Sequence, residues 1–252
     1  MKVTLLGTGT SIGVPVIGCK CDVCTSTDPR DHRLRCSALV ETDGKRILID
    51  CGPDFRTQIL PQPYGPLDAV LITHRHYDHV GGIDDLRPFC PFGNVNIYGD
   101  QATIDHIRTT FYYCFGTNHY PGSPSLCLHT LRPLEPLHVG SIEVLPVRLI
   151  HGTMPILGYR FGRFAYLTDL SECPPESFDA LQGIDTLVVD GLRRAPHSSH
   201  QTIGQACELS RRLGANRTYI IHLTHTVGLH ARSHEYLPQG VEFGYDGQVI
   251  NI

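Results

Sequence analysis

Several short apolar runs in this chain stop at a residue able to bind a metal or move a proton: Asp50, His74, His151, Asp169, Asp190 and His222. Apolar runs of this length, bounded by Gly, Pro, Asn and Asp, read as buried strands. They fall at residues 3–6, 47–50, 69–73, 95–98, 142–147, 164–168, 186–190 and 218–222. Helical spacing is confined to 101–112 and 202–213, with a short helix opening at Pro174-Pro175 and Thr202 placed to cap the second. Buried strands are rigid, and their ends deliver side chains to one rim. Two β-rich halves feeding a shared edge satisfy this pattern.

Residues 73–79 read Thr-His-Arg-His-Tyr-Asp-His, so His74, His76, Asp78 and His79 place four metal-binding groups within six positions. A straight strand would divide them between two faces. A loop between a strand and a helix turns them towards one centre. Imidazole and carboxylate suit zinc, manganese or iron. A polar surface loop would not be expected to gather four such groups by chance.

Composition narrows the setting. The chain has 252 residues and a net charge of −4, enough to bury a large core and without the basic excess of a nucleic-acid binder. One domain over residues 1–252 is the simplest organisation. The start of the chain leads us to expect no signal peptide, and no apolar run approaches the ~18 residues of a membrane span. A cytoplasmic location is therefore expected, with the ten cysteines reduced. Cys19, Cys21 and Cys24 cluster in Gly-Cys-Lys-Cys-Asp-Val-Cys, within a loop at about residues 12–25. Three soft ligands fit a structural zinc that needs a fourth, and His225 is the leading candidate. The other seven cysteines read as small core residues.

The motif His74-x-His76-x-Asp78-His79 resembles the signature of the metallo-β-lactamase superfamily. That resemblance implies an αβ/βα sandwich, an α/β layered fold of two β-sheets flanked by helices. It further implies His151, Asp169 and His222 as the remaining ligands. His74, His76 and His151 would hold one divalent cation; Asp78, His79 and His222 a second; Asp169 would bridge them. Two cations a few ångströms apart acidify a shared water and polarise the bond under attack. Asp50 is placed to fix a ligating imidazole through its second nitrogen.

Leu6-Gly7-Thr8-Gly9-Thr10, Gly13-Val14-Pro15, the cysteine loop and His222-x-x-His225 closely resemble the PhnP-type phosphodiesterases, over nearly the whole chain as far as Phe243-Gly244-Tyr245-Asp246-Gly247. The resemblance implies hydrolysis of small cyclic phosphodiesters such as phosphoribosyl 1,2-cyclic phosphate. It also implies catalytic manganese or zinc, a separate structural zinc and a homodimer. It places a catalytic histidine at His200, to protonate the leaving alkoxide or hold the phosphate. His197 competes for that role and reads better as a solvated loop histidine. Arg193 and Arg194 offer phosphate contacts, although exposed arginines are more often simply solvated. Turnover should depend most on Asp78 and His200.

Three other functions share features with this chain. Nucleases that process tRNA 3′ ends carry the same opening and metal motifs, but they need a basic RNA-gripping arm, which is not found. Di-iron redox proteins of the fold alter the first motif with a glutamate and add a flavin domain. A structural metal protein would have no use for the spare histidine beside an intact ligand set. A small phosphodiester is thus the expected partner, with no membrane and no stable nucleic-acid complex.

Overall fold

The computed structural model describes residues 1–115 and 122–252. Strands β1 (Lys2–Gly7), β2 (Ser37–Thr42), β3 (Lys45–Ile49), β4 (Ala69–Leu71), β5 (Val95–Gly99) and β6 (Leu126–Thr130) build one sheet. A second contains β7 (Leu137–Val139), β8 (Ile142–His151), β9 (Met154–Phe161), β10 (Phe164–Leu167), β11 (Thr186–Asp190), β12 (Arg217–Ile221) and β13 (Val241–Phe243). Strand β14 (Val249–Asn251) returns to the first sheet beside β1. The orders are β14-β1-β2-β3-β4-β5-β6 and β13-β12-β11-β10-β9-β8-β7.

Each sheet is antiparallel on one side and parallel on the other. Strands β3 to β6 run parallel in the first and β10 to β13 in the second. Parallel strands put their C-terminal ends on one edge, where ligand sites of α/β sheets form. The ends of β3, β4, β10, β11 and β12 carry the reactive residues picked out above.

The alternate side chains of the facing strands make the central core. Val3, Leu5, Val40, Ile47 and Leu71 of the first sheet meet Val144, Leu157, Phe164, Tyr166 and Ile221 of the second. Two further apolar layers cover the outer faces. Helices α1 (Phe55–Ile59), α2 (Tyr77–Val80) and α3 (Gln101–Thr110) follow strands of the first sheet, α4 (Pro175–Ala180) and α5 (Ile203–Leu213) those of the second. Thr202 caps α5 in a capping box with Gln205, and left-handed Gly214 closes it.

Two readings from sequence need correction. The run at 142–147 continues as β8 to His151 and pairs with β9 around a turn at Gly152. The polar Arg148 ended the apolar run and disguised β8 as a shorter strand, while Pro155 and Gly158 hid β9. Strands β2, β6, β7, β13 and β14 were also missed; the last three have only three residues each, too few for a period to show. Of the seven scattered cysteines, Cys36, Cys51 and Cys114 are buried, but Cys90, Cys127, Cys173 and Cys207 are only half-buried. Among the described residues, no helix is long and apolar enough to cross a membrane.

Candidate metal centre

Strand ends from both sheets converge on one rim. Donor atoms of His74, His76 and His151 lie within 4.8 Å of one another, as do those of Asp78, His79, Asp169 and His222. His222 Nε2 is 3.2 Å from Asp169 Oδ2, and His79 Nε2 is 3.4 Å from Asp169 Oδ1. Asp169 Oδ2 also lies 3.8 Å from His74 Nε2, so this carboxylate stands between the two groups. Asp78 Oδ2 reaches His79 Nε2 at 3.2 Å and His222 Nε2 at 3.7 Å. All seven expected residues therefore meet.

The backbone is bent to bring them there. Asp50 and His222 adopt left-handed φ values of 59° and 58° directly after β3 and β12, and Asp169 one of 58° two residues after β10. Such a conformation costs of order 1 kcal/mol or more in a residue with a Cβ. Three of them at one rim mark a site held against local preference. Residues next to His222 are clamped: Leu223 N donates to Thr8 O at 3.0 Å, and Thr10 N to Leu223 O at 3.2 Å. Gly7 and Gly9 permit this, because a Cβ on Gly7 would lie 2.0 Å from Arg35 O and one on Gly9 2.8 Å from Arg33 O. The Gly-Thr-Gly opening thus secures a candidate ligand that it does not itself supply.

Three of the imidazoles are fixed through the far nitrogen. His79 Nδ1 donates to Asp50 Oδ2 at 2.7 Å, the role expected for Asp50. His74 Nδ1 meets Thr73 Oγ1 at 3.0 Å, and that hydroxyl is itself held by both Asp50 oxygens. His151 Nδ1 donates to the Ser199 carbonyl at 2.7 Å. Thr73 and Ser199 escaped the sequence reading; a backbone carbonyl has no residue signature.

The charges fit a cation. Burial opposes charge on His79, but Asp169, Asp78 and Asp50 hold its pKa well above the usual range. Burial likewise opposes charge on His222, yet chiefly Asp169 raises it to about 9. Asp169 and Asp78 are pushed up by burial and pulled below the ordinary carboxylate range by these imidazoles. Burial and the neighbouring His79 keep His74 well below its usual value. His79 Nε2 and His222 Nε2 are buried with no hydrogen-bond partner. Orphaned nitrogens facing ionised carboxylates are what a divalent cation would satisfy, and the nitrogen and oxygen donors suit zinc or manganese.

His200 stands between the two groups. Its ring stacks on His222 at 4.7 Å between centroids and lies edge-on to His151 at 4.6 Å. A ring nitrogen falls within 4.8 Å of donors on His151 and Asp169. Its Nδ1 donates to Asp190 Oδ2 at 3.0 Å. His197 is exposed, 5.2 Å away between ring centroids. Arg193 donates to the carbonyls of Ala195 and Pro196, so two of its donors clamp its own loop instead of facing a phosphate. Arg194 lies over the Tyr236 ring, 3.9 Å from its centroid.

The cysteine loop closes on His225. Cys19 and Cys21 Sγ each lie 3.3 Å from His225 Nδ1, and Cys24 completes four donors within 4.8 Å. All three thiols are free of disulfides. The Cys24 backbone N–H, followed by His225, lowers the Cys21 pKa to about 6, whereas burial raises Cys24 to about 11. Four converging soft and borderline donors fit zinc.

Comparison with known proteins agrees with this geometry. A family model of the beta-lactamase superfamily domain matches residues 45–223. The chain is 47% identical over 249 residues to a protein of Porphyromonas gingivalis named octanoyltransferase, covering 98% of this chain but only 51% of that one. It therefore spans about half the length of that relative. A crystal structure described as a new diphosphatase from the PhnP family superposes with a TM-score of 0.92 at 38% identity, covering 99% of this chain and 96% of that one. Human tRNase Z, short form, shares the fold at TM-score 0.72 and 21% identity, covering 100% and 99%. The two layered sheets, the rim of histidines and aspartates and these matches together place the chain in the metallo-β-lactamase superfamily.

Proposed function

We propose that this chain is a metal-dependent phosphodiesterase acting on a small cyclic phosphodiester such as phosphoribosyl 1,2-cyclic phosphate. The observation that carries the reading is the convergence of two donor groups on Asp169 with His200 set between them. His74, His76 and His151 would hold one divalent cation, Asp78, His79 and His222 the other, with Asp169 shared. Such a pair, when bound, supplies an acidified water and positive charge to polarise the phosphoryl group. His200, anchored at Nδ1 by Asp190, is positioned to give a proton to the leaving alkoxide from its other nitrogen. Cys19, Cys21, Cys24 and His225 would hold a structural zinc. The likeness to a PhnP-family diphosphatase supports phosphoryl chemistry. In this reading the enzyme works in the cytoplasm as a homodimer and needs neither membrane nor nucleic acid as a stable partner.

A second reading rests on the Porphyromonas gingivalis relative, whose name describes octanoyl transfer and whose length is about twice that matched here. A cation pair polarises a carbonyl as readily as a phosphoryl oxygen. The unit would then cleave an octanoyl ester or thioester beside an acyltransferase. The test is a substrate screen on purified protein loaded with manganese or zinc. It compares cyclic phosphodiesters, linear phosphodiesters, diphosphates and an octanoyl thioester. Preferential turnover of a cyclic phosphodiester is expected; turnover of the thioester alone would replace the first reading with the second.

A further inference from the structure

Asp190 ends β11 beside the end of β12, with its backbone paired to Ile221 in parallel register. Its carboxylate is fully buried, and its two oxygens face two different histidines. Oδ2 accepts from His200 Nδ1 at 3.0 Å. Oδ1 faces His222 Nδ1 at 3.9 Å. Both Oδ1 and His222 Nδ1 are buried and have no hydrogen-bond partner. The two imidazoles lie nearly parallel, 18° apart, so each turns its Nδ1 edge towards the one carboxylate. The bracket is rigid: Gly191 N donates to Ile221 O at 3.1 Å, and Leu192 N to Gln201 O at 3.0 Å, which folds His200 back over β11.

We infer that Asp190 is a shared positioning residue: one buried carboxylate sets the tautomer and orientation of both the ligand His222 and the proton-transfer residue His200. An imidazole that gives Nε2 to a cation keeps its proton on Nδ1, and that proton needs an acceptor. Asp190 Oδ1 is the carboxylate oxygen facing it. The same fork leaves His200 with Nδ1 occupied and Nε2 turned to the reaction. Ligation and proton transfer are therefore joined through a residue that touches neither cation nor substrate. This inference rests on the assignment of His222 and His200 under Proposed function, but its main readouts need no substrate.

Nitrogen-15 NMR of histidine-labelled, zinc-loaded wild-type protein reports the tautomers directly. The Nδ1-protonated form is expected for both His200 and His222; His200 protonated on Nε2 alone would overturn the inference, and this result does not depend on any variant folding. Zinc titration supplies the second arm. Asp190→Asn should weaken one rim zinc by about 10- to 100-fold, the usual effect of losing a partner behind a ligand. His200→Ala, which leaves Asp190 facing His222, should bind zinc like wild type. If Asp190→Asn kept wild-type zinc affinity, Asp190 would serve His200 alone and the shared role would be wrong. If tautomers and zinc behave as expected while no phosphodiester is turned over, the positioning role stands and the functional reading falls.

Discussion

At the residue scale, His74, His76, Asp78 and His79 were legible as candidate ligands because metal chemistry allows few residue types and their motif fixes the spacing, whereas His151, Asp169 and His222 followed from the family resemblance. Of the groups that aim them, only Asp50 was legible. Asp190 was marked only as a reactive strand end, Thr73 looks like an ordinary strand-end residue, and the partner of His151 is the Ser199 carbonyl. This arrangement makes Gly152 a sensitive position. Its φ is 63°, and an added Cβ would lie 3.2 Å from the Ser199 Cβ. Gly152→Ala should cost about 1–2 kcal/mol in backbone strain and displace the carbonyl that holds His151. Thermal melting together with metal analysis checks both effects; a variant unchanged in each would show that the turn is slack. His200 gives a second prediction. His200→Ala should retain wild-type metal content and lose ~100- to 10,000-fold in turnover of a substrate with a poor leaving group. Loss of metal in that variant would instead make His200 a ligand, which its nearness to Asp169 and His151 also allows.

At the scale of elements, the sequence marked the strands that end in reactive residues and the capped helix α5, but it lost β9, interrupted by proline and glycine, and the three-residue strands β7, β13 and β14. The cysteine loop was visible as a cluster, with His225 as its leading fourth partner, and the fold brings these two segments together although they lie some two hundred positions apart. Few large apolar groups anchor that loop: Val14, Val23 and Cys24 form a small cluster with Val16, Cys19 and Leu229 packed on it. Metal closure should therefore contribute much of its stability. Cys21→Ser is expected to remove about one zinc per chain and lower the melting temperature, with a smaller effect on turnover than Asp78→Ala. Equal zinc content in variant and wild type would eliminate the structural site.

The same segment gives a pH dependence. His230 Nδ1 lies 3.2 Å from Nη2 of buried Arg33, and the His230 backbone N–H donates to Asp31 at 2.7 Å. Burial, then the guanidinium of Arg33, presses the His230 pKa down to about 4. An unfolded histidine titrates near ~6.5. The stability tied to neutral His230 is thus fully present above that value and is lost as pH falls towards 4, because the unfolded chain takes up the proton first. His230→Asn keeps an acceptor for Arg33 with nothing to titrate. Its melting temperature should fall less steeply than that of wild type across this window, and parallel curves would contradict the assignment.

At the scale of the whole molecule, the site belongs to neither sheet alone. The first supplies Asp50, His74, His76, Asp78 and His79, the second His151, Asp169, Asp190 and His222. The sheets meet just below it, where Leu157 N donates to Thr73 O at 2.9 Å and Tyr159 Oη to Ile72 O at 2.6 Å. Cations spanning the rim would fasten the two layers, so chelation should lower the melting temperature and metal restore it. The layered architecture was legible as two halves feeding one edge. The strand order was not, because long-range pairing such as β14 against β1 leaves no local pattern. The central claim is that this rim hydrolyses phosphodiesters through its metal ligands. The most direct measurement is hydrolysis of phosphoribosyl 1,2-cyclic phosphate by wild type and by Asp78→Ala, with metal content determined on the same samples. The account predicts metal-dependent turnover in wild type that falls by orders of magnitude in the variant as rim metal is lost. Fully metal-loaded wild type with no phosphodiesterase activity, or a variant that turns over as fast as wild type, would contradict it.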